Sequence, residues 1–270
     1  MVKDSNPVKL SVRSVCKAFR LRGADGGSES MLQVLKNISF DVRQGEIVSL
    51  IGESGCGKTT LLRIIQGLIR LDTGTVAVDG EPVTTPGRDR GFVFQQATLL
   101  PWRAARANVE FGLELQGIGR AERAERAMKL LKLVGLAHAA DQYPHQLSGG
   151  MQQRIGLARA LAIDPAILLM DEPFSALDAQ TREVLQAELL RIHDETRKTT
   201  LFVTHDLDEA IYLSDRVVVL AAKPGRVKKI IDVPFPHPRP ELPELRGDAT
   251  FQDIRREMWG LIRSAPAAAA

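Results

Sequence analysis

The sequence predicts an α/β fold, because short apolar runs typical of buried strands alternate with segments of helical periodicity. The clearest case is the apolar run 46–51, which ends at Gly52 and precedes a helical pattern. The apolar residues of that predicted helix are Leu61, Ile64, Ile65 and Leu68. With 44% hydrophobic and 26% charged residues among 270, the composition is that of a globular protein with a substantial core.

Further strands are predicted from runs of β-branched and apolar residues, which fit a pleated sheet. Two of these runs, 9–19 and 37–42, flank a polar, glycine-rich stretch that we expect to be a connecting loop. Other strands are expected at 75–78, 91–94, 166–170, 200–203 and 216–220. Asp79 and Gly80 predict a turn after the first of them.

The middle of the chain is rich in helix formers and lacks strand patterns. A charged stretch at 120–126 precedes a predicted buried stripe of Met128, Leu131 and Val134. We therefore predict a helical subdomain at about 98–160, inserted into the α/β core.

Composition changes again near the C-terminus. Prolines are concentrated in residues 232–247, which predicts a stiff, extended linker. A helix is predicted at 248–264, followed by a frayed tail at 265–270. The residues that share one face of that helix are Phe251, Ile254, Met258, Leu261 and Ile262.

Several classes of function are disfavoured by composition. The longest apolar run, 217–222, is far shorter than the about twenty residues of a membrane-spanning helix. No secretion signal is recognisable, which favours a cytosolic protein. A net charge of +3 and 5% aromatic residues argue against a nucleic-acid partner. Cys16 and Cys56 are expected to remain reduced and to bind no metal.

A phosphate-binding loop is predicted directly after the run 46–51. The pattern G-x-x-x-x-G-K-[ST] occurs between a predicted strand and a predicted helix, which is the context that it requires. Its residues are Gly52, Glu53, Ser54, Gly55, Cys56, Gly57, Lys58 and Thr59, and Thr60 follows. Backbone N–H groups of such a loop surround a polyphosphate at the helix N-terminus. The alternative is a glycine-rich turn that merely begins a helix.

Two side chains of this loop are expected to bind the polyphosphate and its metal ion. Lys58 would bridge the β- and γ-phosphates, and the Thr59 hydroxyl would bind Mg²⁺. Cys56 is interpreted as a small loop residue rather than a nucleophile, since no base lies beside it in the sequence.

Two acidic residues end another predicted buried strand. The run 166–170 continues directly into Asp171 and Glu172, and α/β folds bind ligands at the carboxyl ends of parallel strands. Asp171 is expected to help hold Mg²⁺, and Glu172 to act as the general base for the attacking water. Taken alone, this pair is equally typical of an ordinary exit from a strand into a loop.

A further motif makes the sequence resemble one family. Residues 147–154 read LSGGMQQR, which is similar to the signature of ATP-binding cassette proteins. Gln95 resembles the Q-loop residue of that family, Asp178 its D-loop residue and His205 its switch histidine. The resemblance extends over residues 8–231. It implies a P-loop NTPase (RecA-like) core with an antiparallel β subdomain and the inserted helical subdomain.

The signature also has a physical interpretation without the family. Ser148 is expected to cap a helix, so that Gly149 and Gly150 present backbone N–H groups at its positive end. One nucleotide does not need two phosphate-binding surfaces in the same compact chain. The resemblance implies a head-to-tail dimer with a second copy, in which this signature caps the γ-phosphate held by the partner's phosphate loop, and Asp178 communicates across the interface.

The resemblance implies roles for three more residues. Gln95, favoured over Gln96 by alignment, would sense the metal. His205 would contact the γ-phosphate as a catalytic residue beside Glu172 and Lys58, although a loop histidine with no such role is the alternative. Phe19 aligns with the adenine-stacking aromatic residue, and it also fits the pattern of a core residue.

The arrangement of the whole chain resembles the ATPase subunit of a bacterial importer. It implies a separate integral membrane permease, contacted near Gln95, and indirectly a periplasmic solute-binding protein. The implied location is peripheral, on the cytoplasmic face of the inner membrane. Segments 99–102 and 108–113, together with Trp259, are similar to importers of nitrate, sulfonates and taurine. The alternative is a nucleotide-gated regulatory or assembly module that transports nothing.

Overall fold

The structure, a computed structural model, describes residues 6–22 and 29–263. These residues form two compact units. Of the described residues, the first unit contains those up to 87, those at 199–236 and those from 240 to 263; the second contains residues 88–198 and 237–239. Strands and helices alternate in both, which confirms the predicted α/β class.

The first unit contains an antiparallel sheet. Its strands are β1 (Val8–Arg22), β2 (Glu29–Arg43), β4 (Thr73–Val78) and β5 (Glu81–Pro82), in the order β2-β1-β4-β5. The second strand begins earlier than the predicted run 37–42. Leu10, Val12 and Val15 of β1 are fully buried, as expected for a central strand with one apolar face. The predicted connecting loop lies mostly at 23–28, outside the described residues.

A second sheet of this unit positions the phosphate loop. Its strands are β3 (Ile47–Gly52), β8 (Thr199–Val203), β9 (Arg216–Ala221) and β10 (Arg226–Asp232). β3 pairs in parallel with β8 on one side and with β9 on the other, while β10 pairs antiparallel with β9. Because both edges of β3 are covered, its six residues are all buried.

Four helices complete the first unit. They are α1 (Lys58–Gln66), α6 (Leu207–Leu213), α7 (Leu242–Arg246) and α8 (Ala249–Arg263). α1 ends at Gly67, whose φ of 85° is left-handed, as is common where a helix terminates. Leu68 therefore lies beyond the helix and is exposed, so its predicted place in this helix is wrong.

The second unit consists of a pair of parallel strands and four α-helices. Its elements are β6 (Arg90–Val93), α2 (Ala105–Leu115), α3 (Arg120–Leu133), α4 (Gly149–Ala162), β7 (Ile167–Asp171) and α5 (Ala179–Thr196). Helices α2, α3 and α4 pack against one another. Leu131 and Val134 are buried as predicted, but Met128 is only half-buried and Ala127 takes the core position.

The proline-rich segment differs from the predicted extended linker. Residues 242–246 form α7, and Leu242 and Leu245 bury their side chains. The following helix α8 covers the predicted range up to its last described residue, Arg263, and buries Phe251, Ile254 and Met258. The predicted tail 265–270 lies outside the described residues. Within 6–22 and 29–263, the structure has no helix with the length and apolar character that a bilayer crossing requires.

Candidate nucleotide-binding site

The predicted phosphate loop connects the buried strand β3 to α1 in the first unit. Gly55 and Gly57 have φ of 79° and 92°, a left-handed conformation that glycine adopts without steric cost. These two turns direct the loop into the first turn of α1, where unpaired N–H groups and the helix dipole favour an anion. Glu53, Ser54, Gly55 and Thr59 are exposed, and Thr60 is half-buried.

The ammonium group of Lys58 lies inside the curve of this loop. Its Nζ donates to the carbonyl oxygens of Gly52 at 2.8 Å and Glu53 at 3.3 Å, and the residue is 7% exposed. The Sγ of Cys56 lies 3.9 Å from the same nitrogen. Backbone carbonyls therefore hold the charge that we expect to bind phosphate.

Cys56 is completely buried beneath the loop. Burial raises the pKa of its thiol, and the nearby charge of Lys58 opposes this effect only in part. A buried thiol with a raised pKa is neutral and packs as a small apolar group. This agrees with the interpretation of Cys56 as a small loop residue.

The phosphate loop packs against a turn that is distant from it in the sequence. Gly225, between β9 and β10, donates its N–H to the carbonyl oxygen of Val34 at 2.8 Å and accepts the N–H of Lys36 at 2.9 Å. A Cβ atom at Gly225 would lie 2.2 Å from the carbonyl oxygen of Cys56. Gly225 was not predictable from the sequence, because its signal is a single glycine outside any motif.

His205 lies at the same sheet edge as the phosphate loop. The register pairs Leu50 of β3 with Val203 of β8, so Gly52 and His205 each lie two residues beyond the paired positions. The N–H of Thr204 donates to the carbonyl oxygen of Leu50 at 3.2 Å, and His205 itself is exposed. Within the first unit, the structure thus brings the predicted switch histidine and the phosphate loop to one edge.

Phe19 lies on β1, also in the first unit. Its ring is half-buried, and the Nζ of Lys17 lies 5.3 Å from the ring centroid. Leu32, its partner across the strand pair, is 48% exposed. An aromatic ring beside an exposed apolar residue is compatible with base stacking, and the adenine-binding role stays a prediction.

The predicted acidic pair ends β7 in the second unit. Because β6 and β7 are parallel and Val93 pairs with Met170, Gln95 and the two acids follow the strands at the same edge. Glu172 has a φ of 45°, a left-handed conformation that is uncommon for residues other than glycine. Such backbone strain is concentrated at functional sites and supports a chemical role for this position.

A serine joins Gln95 to the turn that follows Glu172. The Nε2 of Gln95 donates to the Oγ of Ser175 at 3.0 Å, and that hydroxyl donates to the carbonyl oxygen of Glu172 at 2.9 Å. The Nε2 of Gln153 donates to the carbonyl oxygen of Gln95 at 2.6 Å, which ties the same segment to α4. No role was predicted from the sequence for Ser175 or Gln153. Gln95 was favoured over Gln96, and it is the side chain of Gln95 that lies against the acidic turn.

The signature residues begin α4. The Oγ of Ser148 accepts the N–H of Met151 at 3.3 Å, which is the predicted helix cap. Gly149 is exposed, and a Cβ atom at Gly150 would lie 2.9 Å from the Cγ2 of Thr181. Gly150 thus permits the first turns of α4 and α5 to lie in contact.

Asp178 caps the neighbouring helix. Its Oδ1 accepts the N–H of Thr181 at 3.0 Å, and this hydrogen bond holds the pKa of the carboxyl below its usual value. Two capped helix N-termini, those of α4 and α5, therefore adjoin within the second unit. The first turn of α4 has no acidic residue and favours an anion at this surface, whereas the carboxylate of Asp178 already places a negative charge at the N-terminus of α5.

The predicted magnesium ligands provide oxygen donors of three kinds: the hydroxyl of Thr59, the carboxylate of Asp171 and the amide oxygen of Gln95. Mg²⁺ prefers oxygen ligands and usually retains waters and phosphate oxygens rather than a complete protein cage. Within residues 6–22 and 29–263, no three His, Cys, Asp or Glu side chains form a cluster that could hold a metal. Each of the three donors is thus of a kind that a cation bound together with a nucleotide uses; Thr59 lies in the first unit, and Asp171 and Gln95 lie in the second.

Comparison with known proteins finds relatives over most of the chain. Residues 35–175 match the sequence profile of the family described as ABC transporter. An uncharacterized ABC transporter ATP-binding protein of Methanocaldococcus jannaschii is 51% identical over 261 residues, which cover 97% of this chain and 94% of that protein.

Two other relatives are named for a transported solute. The nitrate import ATP-binding protein NrtD of Synechocystis sp. is 46% identical over 78% of this chain and 79% of its own length. The taurine import ATP-binding protein TauB of Jannaschia sp. is 41% identical over 94% of this chain and 93% of its own length.

Among solved structures, the ATP-binding cassette MJ0796 matches with a TM-score of 0.71 and 35% identity. The match covers 83% of this chain and 98% of that chain. That protein is a dimer in a post-hydrolysis state, bound to ADP and Pi.

Proposed function

The chain belongs to the ABC transporter family of ATP-binding cassettes, and on this premise we propose that it is the ATP-hydrolysing subunit of a bacterial importer. Its fold is that of P-loop NTPases, and proteins of this family are ATPases. The observation that supports import is the 46% and 41% identity to NrtD and TauB over most of the chain. The proposed solutes are small anions such as nitrate, aliphatic sulfonates or taurine.

The proposed chemistry starts with ATP bound at the phosphate loop. The loop N–H groups and Lys58 hold the β- and γ-phosphates, and Phe19 stacks on the adenine. Thr59, Asp171 and Gln95 would hold Mg²⁺, which supplies charge neutralisation for the phosphates when it is bound. These assignments rest on the curvature of the loop, the inward position of the Lys58 ammonium and the oxygen donor set.

Hydrolysis requires removal of a proton from the attacking water. We assign this step to the carboxylate of Glu172, which accepts the proton as the water oxygen bonds to the γ-phosphorus and the bond to the β-phosphate oxygen breaks. His205 contacts the γ-phosphate and keeps it aligned for this attack. The strained backbone of Glu172 and the position of His205 at the phosphate-loop edge support these roles.

A second copy of the chain completes the proposed site. Ser148, Gly149 and Gly150 of that copy would cap the γ-phosphate, and Asp178 would lie at the subunit contact. The capped N-terminus of α4, which has no acidic residue in its first turn, gives this surface its preference for an anion. The dimer of the similar cassette MJ0796 is a further reason for the proposal.

The proposed partner that spans the membrane is a separate permease. Phe94 and Trp102 flank the segment that follows β6, and they are 42% and 71% exposed. Exposed aromatic residues of this size are typical of protein contact surfaces. The protein would then act at the cytoplasmic face of the inner membrane, on a permease that receives its solute from a periplasmic binding protein.

ATPase measurements with the permease test this function. A permease of a nitrate, sulfonate or taurine importer, reconstituted in lipid nanodiscs, should bind the protein and raise its ATP hydrolysis rate. Trp102→Ala should weaken binding, whereas Leu115→Ala, an exposed apolar residue of α2, serves as the control. An ATP hydrolysis rate that does not change when the permease is added, together with capture of a soluble partner, would instead support the alternative. That alternative is a regulatory or assembly module.

The Glu172→Gln variant tests the assigned base. It should lose turnover by at least about a hundredfold while it still binds ATP, since only proton abstraction is removed. ATP should then convert the variant to a stable dimer, visible by size-exclusion chromatography with light scattering. Wild-type turnover in this variant would remove Glu172 from the role of general base.

A further inference from the structure

Two arginines of the C-terminal helices bind one carboxylate of α6. The Nε of Arg246 in α7 donates to the Oδ2 of Asp208 at 2.9 Å, and the Nε of Arg255 in α8 donates to its Oδ1 at 2.7 Å. The Asp208 side chain is 19% exposed, so the ion pairs are partly shielded from solvent. Each oxygen of Asp208 is thus engaged by a different helix.

Asp208 is joined by hydrogen bonds to the residues around His205. Its N–H donates to the Oδ1 of Asp206 at 2.9 Å, which also accepts the N–H of Glu209 at 3.2 Å. The N–H of Asp206 donates in turn to the Oγ1 of Thr204 at 3.0 Å. His205 lies between Thr204 and Asp206, so both of its neighbours belong to this chain of contacts.

Apolar packing fixes the two C-terminal helices on α6. α7 and α8 both contact α6, and α8 also packs on β9. Phe251 and Met258 of α8 are fully buried. Partly exposed ion pairs add little stability by themselves. We therefore attribute anchoring of the helices to the apolar side chains, and the orientation of the first turn of α6 to the two arginines.

We propose that Asp208 is a positioning residue, through which Arg246 and Arg255 hold the loop of His205 in the orientation that contacts the γ-phosphate. This inference rests on the role given to His205 in the proposed function. A shift of about 1 Å in a positioned group can change a rate by up to a hundredfold. The C-terminal helices are therefore part of the ATPase mechanism and not only a packed appendage.

The Arg246→Ala/Arg255→Ala variant of the full chain tests the proposal. Its kcat for ATP should fall at least about fivefold with KM within about twofold of wild type, because contacts of the chemical step are disturbed. Backbone amides at 204–209 should also exchange hydrogen faster. The matched control is Lys229→Ala/Glu257→Ala, which removes an ion pair between β10 and α8 and leaves α6 untouched. The control variant should keep the wild-type kcat and the wild-type rate of amide exchange at 204–209.

Two further variants separate the outcomes. If the double arginine variant does not fold, Asp208→Asn replaces it in the same measurements, since it removes the charge and preserves the shape. If His205→Ala retains wild-type kcat, the role of His205 in the proposed function fails, and amide exchange alone decides whether the helices hold its loop. With His205 active, unchanged exchange or unchanged kcat in the arginine variant overturns the proposal.

Discussion

The hydroxyl of Ser175 determines which way the amide of Gln95 faces. This hydroxyl donates its single proton to the carbonyl oxygen of Glu172 at 2.9 Å, so it can only accept from the Nε2 of Gln95, which lies at 3.0 Å. The Oε1 of Gln95, the amide atom that can bind a cation, therefore faces away from the serine. One serine thus orients the proposed metal ligand relative to the proposed base.

The Ser175→Ala variant should weaken Mg²⁺ binding and should lower the stability of the fold only slightly. Loss of this hydrogen bond should cost about 1 kcal/mol in the free energy of unfolding. The Mg²⁺ concentration for half-maximal ATPase should rise, because Gln95 loses its orientation. Ser39→Ala, which removes a hydroxyl that accepts the N–H of Ser14, is the control and should leave this concentration unchanged. If the half-maximal Mg²⁺ concentration is the same in Ser175→Ala and Ser39→Ala, Ser175 does not orient the metal ligand.

The Gly225→Ala variant should damage the phosphate loop from a distance. Its Cβ would lie 2.2 Å from the carbonyl oxygen of Cys56, so the loop or the turn must move. We expect a stability loss of about 1–3 kcal/mol from this overpacking, with weaker ATP binding. Titration with a fluorescent ATP analogue and thermal unfolding measure both. Gly260→Ala, where the added carbon would face open space beyond the backbone of its own helix, should bind ATP normally.

The two cysteines should differ in reactivity. Cys16 is half-buried, and contacts with Thr73 and with the N–H of Asn37 lower its pKa. Cys56 is completely buried and has a raised pKa. Because the thiolate is the reactive form, Cys16 should label first with a thiol reagent at pH 8, and Cys56 only upon unfolding. Kinetics of Cys16→Ser and Cys56→Ala variants assign the phases, and rapid labelling of the folded Cys16→Ser variant would contradict this order.

The cap of α5 should make stability depend on pH in a defined direction. The hydrogen bond from Thr181 lowers the pKa of Asp178 in the folded state. The stabilisation is therefore complete well above the unfolded value of about 3.9 and is lost as pH falls through the lower folded value. The destabilisation caused by Asp178→Ala should accordingly shrink between pH 5 and strongly acidic pH.

Denaturant unfolding at several pH values measures this effect. Ser148→Ala removes the corresponding cap of α4, which has no ionisable group. Its cost, about 1 kcal/mol for a serine cap, should not vary with pH. If the loss of stability caused by Asp178→Ala is also the same at every pH, the carboxylate charge does not contribute to the cap of α5.

The sequence was informative where a strand is buried on both sides. The runs 46–51 and 166–170 predict β3 and β7 to within one residue at each end, since all six residues of β3 and the first four of β7 are buried and such strands are continuously apolar. β10 was missed because it pairs only with β9 among the described strands, and Lys228 and Lys229 interrupt its pattern. An edge strand tolerates such charges, which weakens its signal.

The site was predictable as motifs but not as contacts. The cap of α4 by Ser148 follows from local sequence, because the hydrogen bond spans three residues. The hydrogen bonds that orient Gln95 come from distant parts of the chain. One joins it to Ser175, 80 positions away, and the other to Gln153, 58 positions away. The role of Asp208 could not be predicted from the sequence. Acidic residues are common in the first turn of a helix, and its arginine partners come from the distant C-terminal helices.

The placement of β3 between β8 and β9 has a consequence for the order of protein synthesis. The strand that carries the phosphate loop leaves the ribosome long before either of its pairing strands exists, because residues 88–198 are made in between. Until residue 221 has emerged, β3 is an apolar strand with at least one unpaired edge, which is a template for aggregation. Nascent chains interrupted before that point should therefore bind no ATP and require a chaperone to remain in solution.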